Sequence, residues 1–143
     1  MAVIDRKKIR WVLREKLKTV PGIPADKFIS AENRDYKPSS VTDLWIRETM
    51  LPAIEQKAAT GMVQAYGIVQ YDVIGAWGKG TEAVEDLAVS IVNTFEPGTH
   101  IVSQGIQIAI DRSEPLPGGP WEEGVWWFVP VSIRWRTYAS TTI

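Results

Sequence analysis

The sequence predicts one α+β domain in which two helices pack on one face of a mostly antiparallel sheet of about four to five strands. Two segments carry apolar residues at helical spacing, and five carry the alternation or composition of strands. The connections between the strands are mostly short, which favours antiparallel pairing. The predicted order of elements is α-β-β-β-α-β-β over residues 1–143, with no internal repeat and no linker.

The first helix is predicted from a stripe of apolar side chains at positions i, i+3, i+4, i+8 and i+11. These residues are Ile9, Val12, Leu13, Leu17 and Val20. Pro21-Gly22 is expected to end the helix. Trp11 lies at the edge of the stripe, where it can reach a neighbour. The basic residues away from the stripe are Lys7, Lys8, Arg10, Arg14 and Lys18.

Charge is uneven along the chain, although 16 basic and 17 acidic residues leave a net charge of only −1. Residues 1–20 hold seven basic and two acidic side chains, a charge of +5, so residues 21–143 carry −6. A basic arm is typical of some nucleic-acid-binding proteins. The simpler interpretation is a helix with a solvated basic face, and we prefer it here.

Two strands are predicted before residue 52. Lys27–Ala31 is a short candidate, followed by a polar loop that Pro38 keeps out of helical geometry. Leu44–Leu51 is the second strand and carries Arg47 and Glu48 on opposite faces. Charges on both faces place this strand away from the centre of the sheet, or at its edge.

The third strand and the second helix follow one another closely. Val63–Val73 has apolar residues at odd positions, which predicts one buried face. Gly75 and Gly78-Lys79-Gly80 are expected to end the strand, and Thr81 to cap the helix. Pro97-Gly98 is expected to stop that helix. Its apolar stripe is Val84, Leu87, Ala88, Ile91, Val92 and Phe95.

Two more strands are predicted after the second helix. Ile101–Ile110 is interpreted as one strand with four apolar residues on one face, namely Val102, Ile106, Ile108 and Ile110. Val125–Tyr138 is the last strand. The segment between them, Asp111–Gly124, is long for a hairpin connection, which favours a functional or mobile loop.

The last strand carries adjacent tryptophans, Trp126 and Trp127, which cannot both lie in one core. With Trp127 on the core side, the opposite side carries Trp126, Phe128, Ser132, Arg134, Arg136 and Tyr138. Aromatic residues and arginine are enriched in protein–protein interfaces. The alternative is that a second layer, such as the first helix, covers this side within the monomer.

Several kinds of site are excluded. Without cysteine there is no disulfide scaffold, thiolate metal site or cysteine nucleophile. His100 is the only histidine, and no G-x-S-x-G elbow is present. Glu122 and Glu123 are adjacent and point apart in an extended chain, so they form no acid–base pair. Gly78–Ala83 fits G-x-G-x-x-A, but Glu82 and two further acidic residues crowd the helix N-terminus where a pyrophosphate would bind. We expect no catalysis, cofactor or metal.

No membrane association is expected. Charges interrupt the apolar residues at the start of the chain, which is not typical of a leader peptide. No segment reaches the roughly 20 apolar residues of a membrane-spanning helix.

Five short segments follow one another along about residues 4–139 of the chain. They are Ala31-Glu32-Asn33 before Tyr36 and Pro38, Leu51-Pro52, Gly67-Ile68-Val69-Gln70-Tyr71-Asp72-Val73, Gly78-x-Gly80 opening a helix that ends near Phe95, and Val129-Pro130-Val131-Ser132-Ile133. Together with the order of elements, they resemble the tail terminator proteins of long-tailed (siphovirus-type) bacteriophages.

The resemblance implies a structural virion protein, made in the cytoplasm of the host bacterium, that acts by binding and not by catalysis. It implies a hexameric ring at the head-proximal end of the tail tube, where the ring ends tube growth and offers a surface to a head–tail connector protein. DNA would pass through the lumen without specific binding. Two alternatives stay open: another neck-ring protein, such as a head-closure or tail-completion protein, and a small ligand-binding domain that uses the Gly78–Ala83 turn.

Under this resemblance, two sets of contact residues are expected. Subunit contacts are expected from Trp11, Trp126, Phe128, Arg134, Arg136 and Tyr138, because a ring of small domains must bury apolar area against its neighbours. Contacts with the tube or the connector are expected from Arg34, Tyr36, Trp121 and Glu122, with Trp121 as the anchor. The basic face of the first helix is not expected to line the lumen, because it would hold DNA phosphates.

Overall fold

The computed structural model describes residues 5–21, 23, 29–30, 44–51, 54–59, 61–76, 82–103, 105–121 and 126–140. Two helices are present in these ranges, α1 (Arg6–Leu17) and α2 (Glu82–Thr94). The strands are β1 (Ile29–Ser30), β2 (Trp45–Met50), β3 (Ile54–Ala59), β4 (Met62–Ala76), β5 (His100–Ser103), β6 (Ile106–Pro115), β7 (Gly119–Trp121) and β8 (Trp126–Ser140).

The centre of the sheet is formed by β4 and β8, which pair antiparallel over their whole length. The path through the sheet is β1-β2-β4-β8-β6-β5, with β3 also on β4 and β7 also on β8. Only β1 and β2 pair parallel among the described strands. The prediction of a mostly antiparallel α+β fold is therefore confirmed.

Two short strands in line border β4 on the side away from β8. β2 pairs with residues 69–74 of β4, and β3 pairs with residues 62–66. The Leu51 amide donates to the Ile68 carbonyl at 2.9 Å, so the ladder with β4 continues one residue beyond β2.

The same arrangement borders β8 on its other side. β6 and β7 pair with β8 in line, and residues 116–118 stand against two residues of β8. Here the Leu116 amide donates to the Pro130 carbonyl at 2.8 Å. Each long strand is thus held on both sides, which fixes which side chains of β4 and β8 share a face.

Both helices pack on one face of the sheet, as predicted. The α1 stripe is buried from Ile9 to Val20, and the α2 stripe is buried except for Val92, which is partly buried. These side chains meet the odd-numbered residues of β4 and β8, chiefly Ala65, Val69, Tyr71, Val73, Val131, Ile133 and Trp135. This single cluster forms the main core.

The ends of α1 are set by local hydrogen bonds. The Asp5 carboxylate caps the start by accepting from the Lys8 amide at 3.1 Å. The helix ends at Leu17, three residues before Val20, where Pro21-Gly22 would end it. The amides of Thr19 and Val20 bond to carbonyls three residues back at 3.0 Å, so the last turn tightens. Pro21 disfavours helical geometry at Val20, the residue that precedes it.

The expected single strand 101–110 is instead a hairpin of β5 and β6. Gly105 has a φ of 74°, a conformation that glycine adopts without strain, and it turns the chain between them. Val102 is consequently 72% exposed and does not share a face with Ile108 and Ile110, which are buried. The prediction of four residues on one face was wrong at this position.

The expected long loop 111–124 is also largely strand. β6 continues to Pro115 through a bulge between Ile110 and Arg112, and β7 adds residues 119–121. The bulge resets the alternation, so apolar spacing gave no signal of a strand here.

Two further differences concern β3 and Gly75. The sequence of β3 is rich in polar residues, so β3 was not predicted. Gly75 does not end β4, which runs on to Ala76. A Cβ at Gly75 would lie 2.6 Å from Cγ2 of Val84, so this glycine lets α2 approach the sheet closely. The structure thus inserts β3 and β7 and divides one predicted strand into two.

Neither described helix is long and apolar enough to cross a membrane.

Candidate functional site

The open face is the face of the sheet opposite α1 and α2. It presents the even-numbered residues of β4 and β8, flanked by β2, β3 and β6. No described helix covers it, so the alternative in which the first helix packs here is wrong. Along the strands the open face has three parts: an aromatic cluster, a buried carboxylate and a groove.

The aromatic cluster consists of Trp45, Ile74, Trp126 and Phe128. The rings of Trp45 and Trp126 meet edge to face with centroids 5.9 Å apart, a favoured geometry for aromatic pairs. Trp126 points away from the main core, as predicted, but is only 6% exposed, and Phe128 is partly buried. The expectation that Trp126 projects from the surface was wrong, because it forms a second small core with Trp45 and Ile74, against which Phe128 packs.

The buried carboxylate is Asp72, which is 1% exposed. Its Oδ2 accepts from Arg47 Nε at 3.0 Å and Nη2 at 2.7 Å, and its Oδ1 accepts from Gln70 Nε2 at 2.8 Å. Both oxygens are therefore satisfied by neighbours on the same face. This carboxylate therefore holds Arg47 and Gln70 in place on the open face.

The groove lies at the other end of the open face and has a volume of about 550 Å³. Its floor is formed by Tyr66 and Ile68 of β4 beside Arg136 and Arg134 of β8, which pair with them in register. Leu51, Ile54 and Gln56 lie on one side, and Asp111 lies on the other. The volume is in the range of binding pockets, and the lining combines apolar surface with two arginines.

The two arginines of the groove differ in their contacts. Arg136 forms an ion pair with Asp111, with Nη2 3.1 Å from Oδ1, and its guanidinium carbon lies 6.0 Å from the centre of the Tyr138 ring. Arg134 is exposed and forms no ion pair with the described residues. The structure therefore brings together three of the six residues predicted for subunit contacts, Arg134, Arg136 and Tyr138.

The opposite, helical face carries Trp11, which is 44% exposed on α1. Around it the face is basic, but not all of this charge is solvated as predicted. Arg14 donates from Nε and Nη2 to both oxygens of Glu48, at 3.2 and 2.7 Å, and Arg10 Nε lies 3.7 Å from the same carboxylate. The Glu48 side chain is fully buried, so this forked ion pair ties α1 to β2.

Two groups beside this ion pair have shifted pKa values. The hydrogen bond to Glu48 raises the pKa of Arg14, which keeps the guanidinium charged. Burial raises the pKa of the Tyr71 hydroxyl well above its usual value, and the neighbouring Glu48 carboxylate adds to this. The Tyr71 hydroxyl is buried with no hydrogen-bond partner in the described part of the chain. Tyr71 is thus held in its neutral form in the main core.

The exposed side of α2 is acidic. Glu82, Glu85 and Asp86 are exposed, and Val89 on the same stripe is 52% exposed. None of the three carboxylates pairs with a basic side chain of the described ranges. The helical face therefore divides into a basic half on α1 and an acidic half on α2.

The remaining predicted residues are placed only in part. Arg34, Tyr36 and Glu122 lie outside the described residues, as do Thr81 and most of the Gly78–Ala83 turn. Trp121 belongs to β7, and its backbone pairs with Trp126. His100 is exposed on β5, with Nδ1 2.7 Å from Gln107 Nε2. In the described ranges no three His, Asp or Glu side chains form a group that could hold a metal ion.

Sequence reasoning missed the groove. An indication of it was present in β4, where the even positions carry Tyr66, Ile68 and Ile74 among polar residues. Three apolar residues on the solvent side of a strand indicate a covered or contacted surface. The other walls of the groove come from β3 and the β6 bulge, neither of which was predicted.

The family model described as phage tail terminator protein matches residues 8–135. This chain belongs to the phage tail terminator family. The tail terminator match covers both helices, except for the start of α1, and all of the strands up to Trp135 of β8.

Comparison with solved structures agrees with the fold of this tail terminator. One solved chain matches with a TM-score of 0.69 at 17% identity, covering 94% of this chain and 96% of that chain. At this identity the match bears on the fold alone. No curated protein matches the chain significantly. Family membership makes the protein a structural component of the bacteriophage tail, located in the virion and associated with the tail tube.

Proposed function

We propose that this protein forms a ring, a hexamer, that caps the head-proximal end of the tail tube. There it ends tube polymerisation and offers the surface on which a head–tail connector protein docks. The observation that carries this proposal is the family match over residues 8–135, nearly the whole described fold. The protein acts by binding, without catalysis and without a cofactor.

The chemistry of the two faces supports a closed ring. A ring of identical subunits needs two different patches on each subunit, because its contacts are heterologous. Here the open face carries a groove with two arginines, while the helical face carries Trp11 and the charged halves of α1 and α2. A subunit with two such unlike faces can close laterally and still leave its ends for the tube and the connector.

DNA passes through the lumen of this ring without specific binding. Basic side chains on the lumen wall would hold the phosphate backbone. On α1 the single carboxylate of Glu48 offsets only part of the charge of Arg10 and Arg14, and Lys7 is exposed, so the face stays basic. We therefore place the basic face of α1 away from the lumen. A ring structure with Lys7, Arg10 and Arg14 on the pore wall would contradict this placement.

The proposal is tested by imaging the full chain with tails. Purified protein is added to tails that lack it, and gold-labelled antibody locates it by negative-stain electron microscopy. Label at the head-proximal end of the tube, with a ring at that end, supports a terminator. Label on the head side of the neck only would identify a head-closure protein instead, and label along the tube would contradict both.

A further inference from the structure

The groove of the open face and the exposed side of α2 are complementary in charge. Arg134 has no ion pair in the described ranges, and Arg136 remains 39% exposed beside Asp111. On α2, Glu82, Glu85 and Asp86 are exposed and equally unpaired with described residues. Each surface therefore carries charge that the other could neutralise.

The two surfaces also match in their apolar parts. Glu82, Glu85, Asp86 and Val89 are spaced i, i+3, i+4 and i+7, so they form one stripe on α2. The positive end of the helix dipole accounts for acidic residues in the first turn, but not for Val89, which is 52% exposed. In the groove, Ile54 is 55% exposed and Leu51 is 41% exposed. A helix stripe that is acidic at its start and apolar one turn later fits a groove with arginines beside exposed aliphatic side chains.

We propose that the groove receives the acidic stripe of α2 from a second copy of this chain. The inference rests on the proposed ring and assigns the surfaces that close it. The stripe and the groove lie on opposite faces of the sheet, so one copy can offer its groove while its α2 occupies the next. Such a contact is heterologous, as a ring requires.

The charges also favour α2 over α1 as the helix that binds in the groove. The exposed side of α1 carries Arg6 and Lys7, with Lys8 partly exposed. Placing it in the groove would set like charges against Arg134 and Arg136, and like-charge contacts disfavour an interface. α2 is therefore the helix that enters the groove.

A charge exchange tests the contact. Arg134→Glu and Glu85→Arg are each expected to weaken assembly by roughly tenfold or more, and the double variant to recover most of the loss, because close charge pairs across interfaces are strongly coupled. Assembly is measured by sedimentation velocity for the full chain alone and by binding to tails. Lys7→Glu is the matched control, since Lys7 is exposed on α1, outside the groove and outside the acidic stripe of α2.

Cross-linking provides a second readout, because the chain has no cysteine of its own. Assembled Ile54→Cys/Val89→Cys protein treated with a bis-maleimide should give a covalent ladder longer than a dimer. The control Val102→Cys/Val89→Cys should not, although Val102 is 72% exposed. All variants are first compared with the unmodified chain by circular dichroism and melting temperature.

The outcomes separate this inference from the function on which it rests. Full assembly of both single charge variants, or equal ladders in the two cysteine pairs, would overturn the docking of α2 and leave the ring standing. An unmodified chain that stays monomeric alone and does not bind tails would overturn both.

Discussion

Among the described residues, two buried carboxylates are each bonded to an arginine, one on each face of the sheet. Glu48 pairs with Arg14 on the helical face of the sheet, and Asp72 pairs with Arg47 on the open face. Strand alternation predicted that Arg47 and Glu48 lie on opposite faces. It could not predict their partners, because Asp72 and Arg14 are distant from them in the chain. These pairs let β2 lie inside the sheet, between β1 and β4, with a charge on each side.

Removing the Glu48 carboxylate is expected to destabilise the fold. Glu48→Ala leaves Arg14 half-buried without its partner, and breaking such a pair costs about 2–4 kcal/mol after allowance for the partial exposure of Arg14. Urea unfolding measures the change. Glu114→Ala is the control, because its pair with Arg112 is exposed and is worth about 0–1 kcal/mol. Equal effects from the two variants would contradict the structural role of Glu48.

The buried Tyr71 hydroxyl predicts a loss of stability at alkaline pH. Burial raises the pKa of Tyr71 well above 10 in the folded protein, while the unfolded chain ionises near 10. The folded state then keeps a proton that the unfolded state has lost, so stability falls as the pH rises above about 10.

Tyr71→Phe should reduce this alkaline loss. At neutral pH the variant should be neutral or more stable by up to about 2 kcal/mol, because an unpaired buried hydroxyl is removed. Melting temperatures between pH 7 and 11 measure both effects. Tyr138→Phe, at an exposed position, should follow the unmodified protein across this range. A Tyr71→Phe variant whose melting temperature falls with pH as much as that of the unmodified protein would contradict the argument.

At the scale of elements, the fold follows the sequence wherever one period holds over many residues. Both helices and the faces of β4 and β8 were predicted, because each has a long apolar repeat. The structure departs from the prediction where a turn or a bulge changes which side chains share a face, as at Gly105 and after Ile110. The groove was missed because one wall comes from β3, whose polar sequence did not predict a strand, and the other comes from the bulge after Ile110.

The in-line pairing of β6 and β7 on β8 depends on a tight approach at Gly118. A Cβ at Gly118 would lie 2.7 Å from the Phe128 carbonyl oxygen, whereas a Cβ at the adjacent Gly119 would meet nothing within 4 Å. Gly118→Ala should therefore destabilise the protein by about 1–3 kcal/mol, as overpacking does. Gly119→Ala should change stability by less than about 1 kcal/mol. Thermal unfolding of the two variants measures the contrast, and equal melting temperatures would contradict it.

At the scale of the whole molecule, charge is divided between surfaces that face different ways. The net charge is only −1, but α1 is basic, α2 carries an acidic stripe and the groove is lined by two arginines. Composition predicted the uneven charge along the chain, but only the fold places the acidic stripe and the groove on opposite faces. This placement makes repeated head-to-tail contact possible.

Assembly through such contacts should weaken as salt increases. The Debye length falls from about 10 Å at 0.1 M to about 3 Å at 1 M ionic strength, so exposed carboxylate–arginine contacts are screened. Sedimentation velocity at the two salt concentrations should therefore show smaller species at the higher one. Assembly that strengthens with salt would indicate that apolar contacts close the ring instead.

The most direct test of the central claim is the length distribution of tail tubes. Tubes assembled with tape measure and tube protein are imaged with and without this chain. We predict tubes of one length that each end in a ring when the chain is present, and a broad distribution reaching greater lengths when it is absent. Identical distributions under the two conditions would contradict the proposal that this protein ends tube growth.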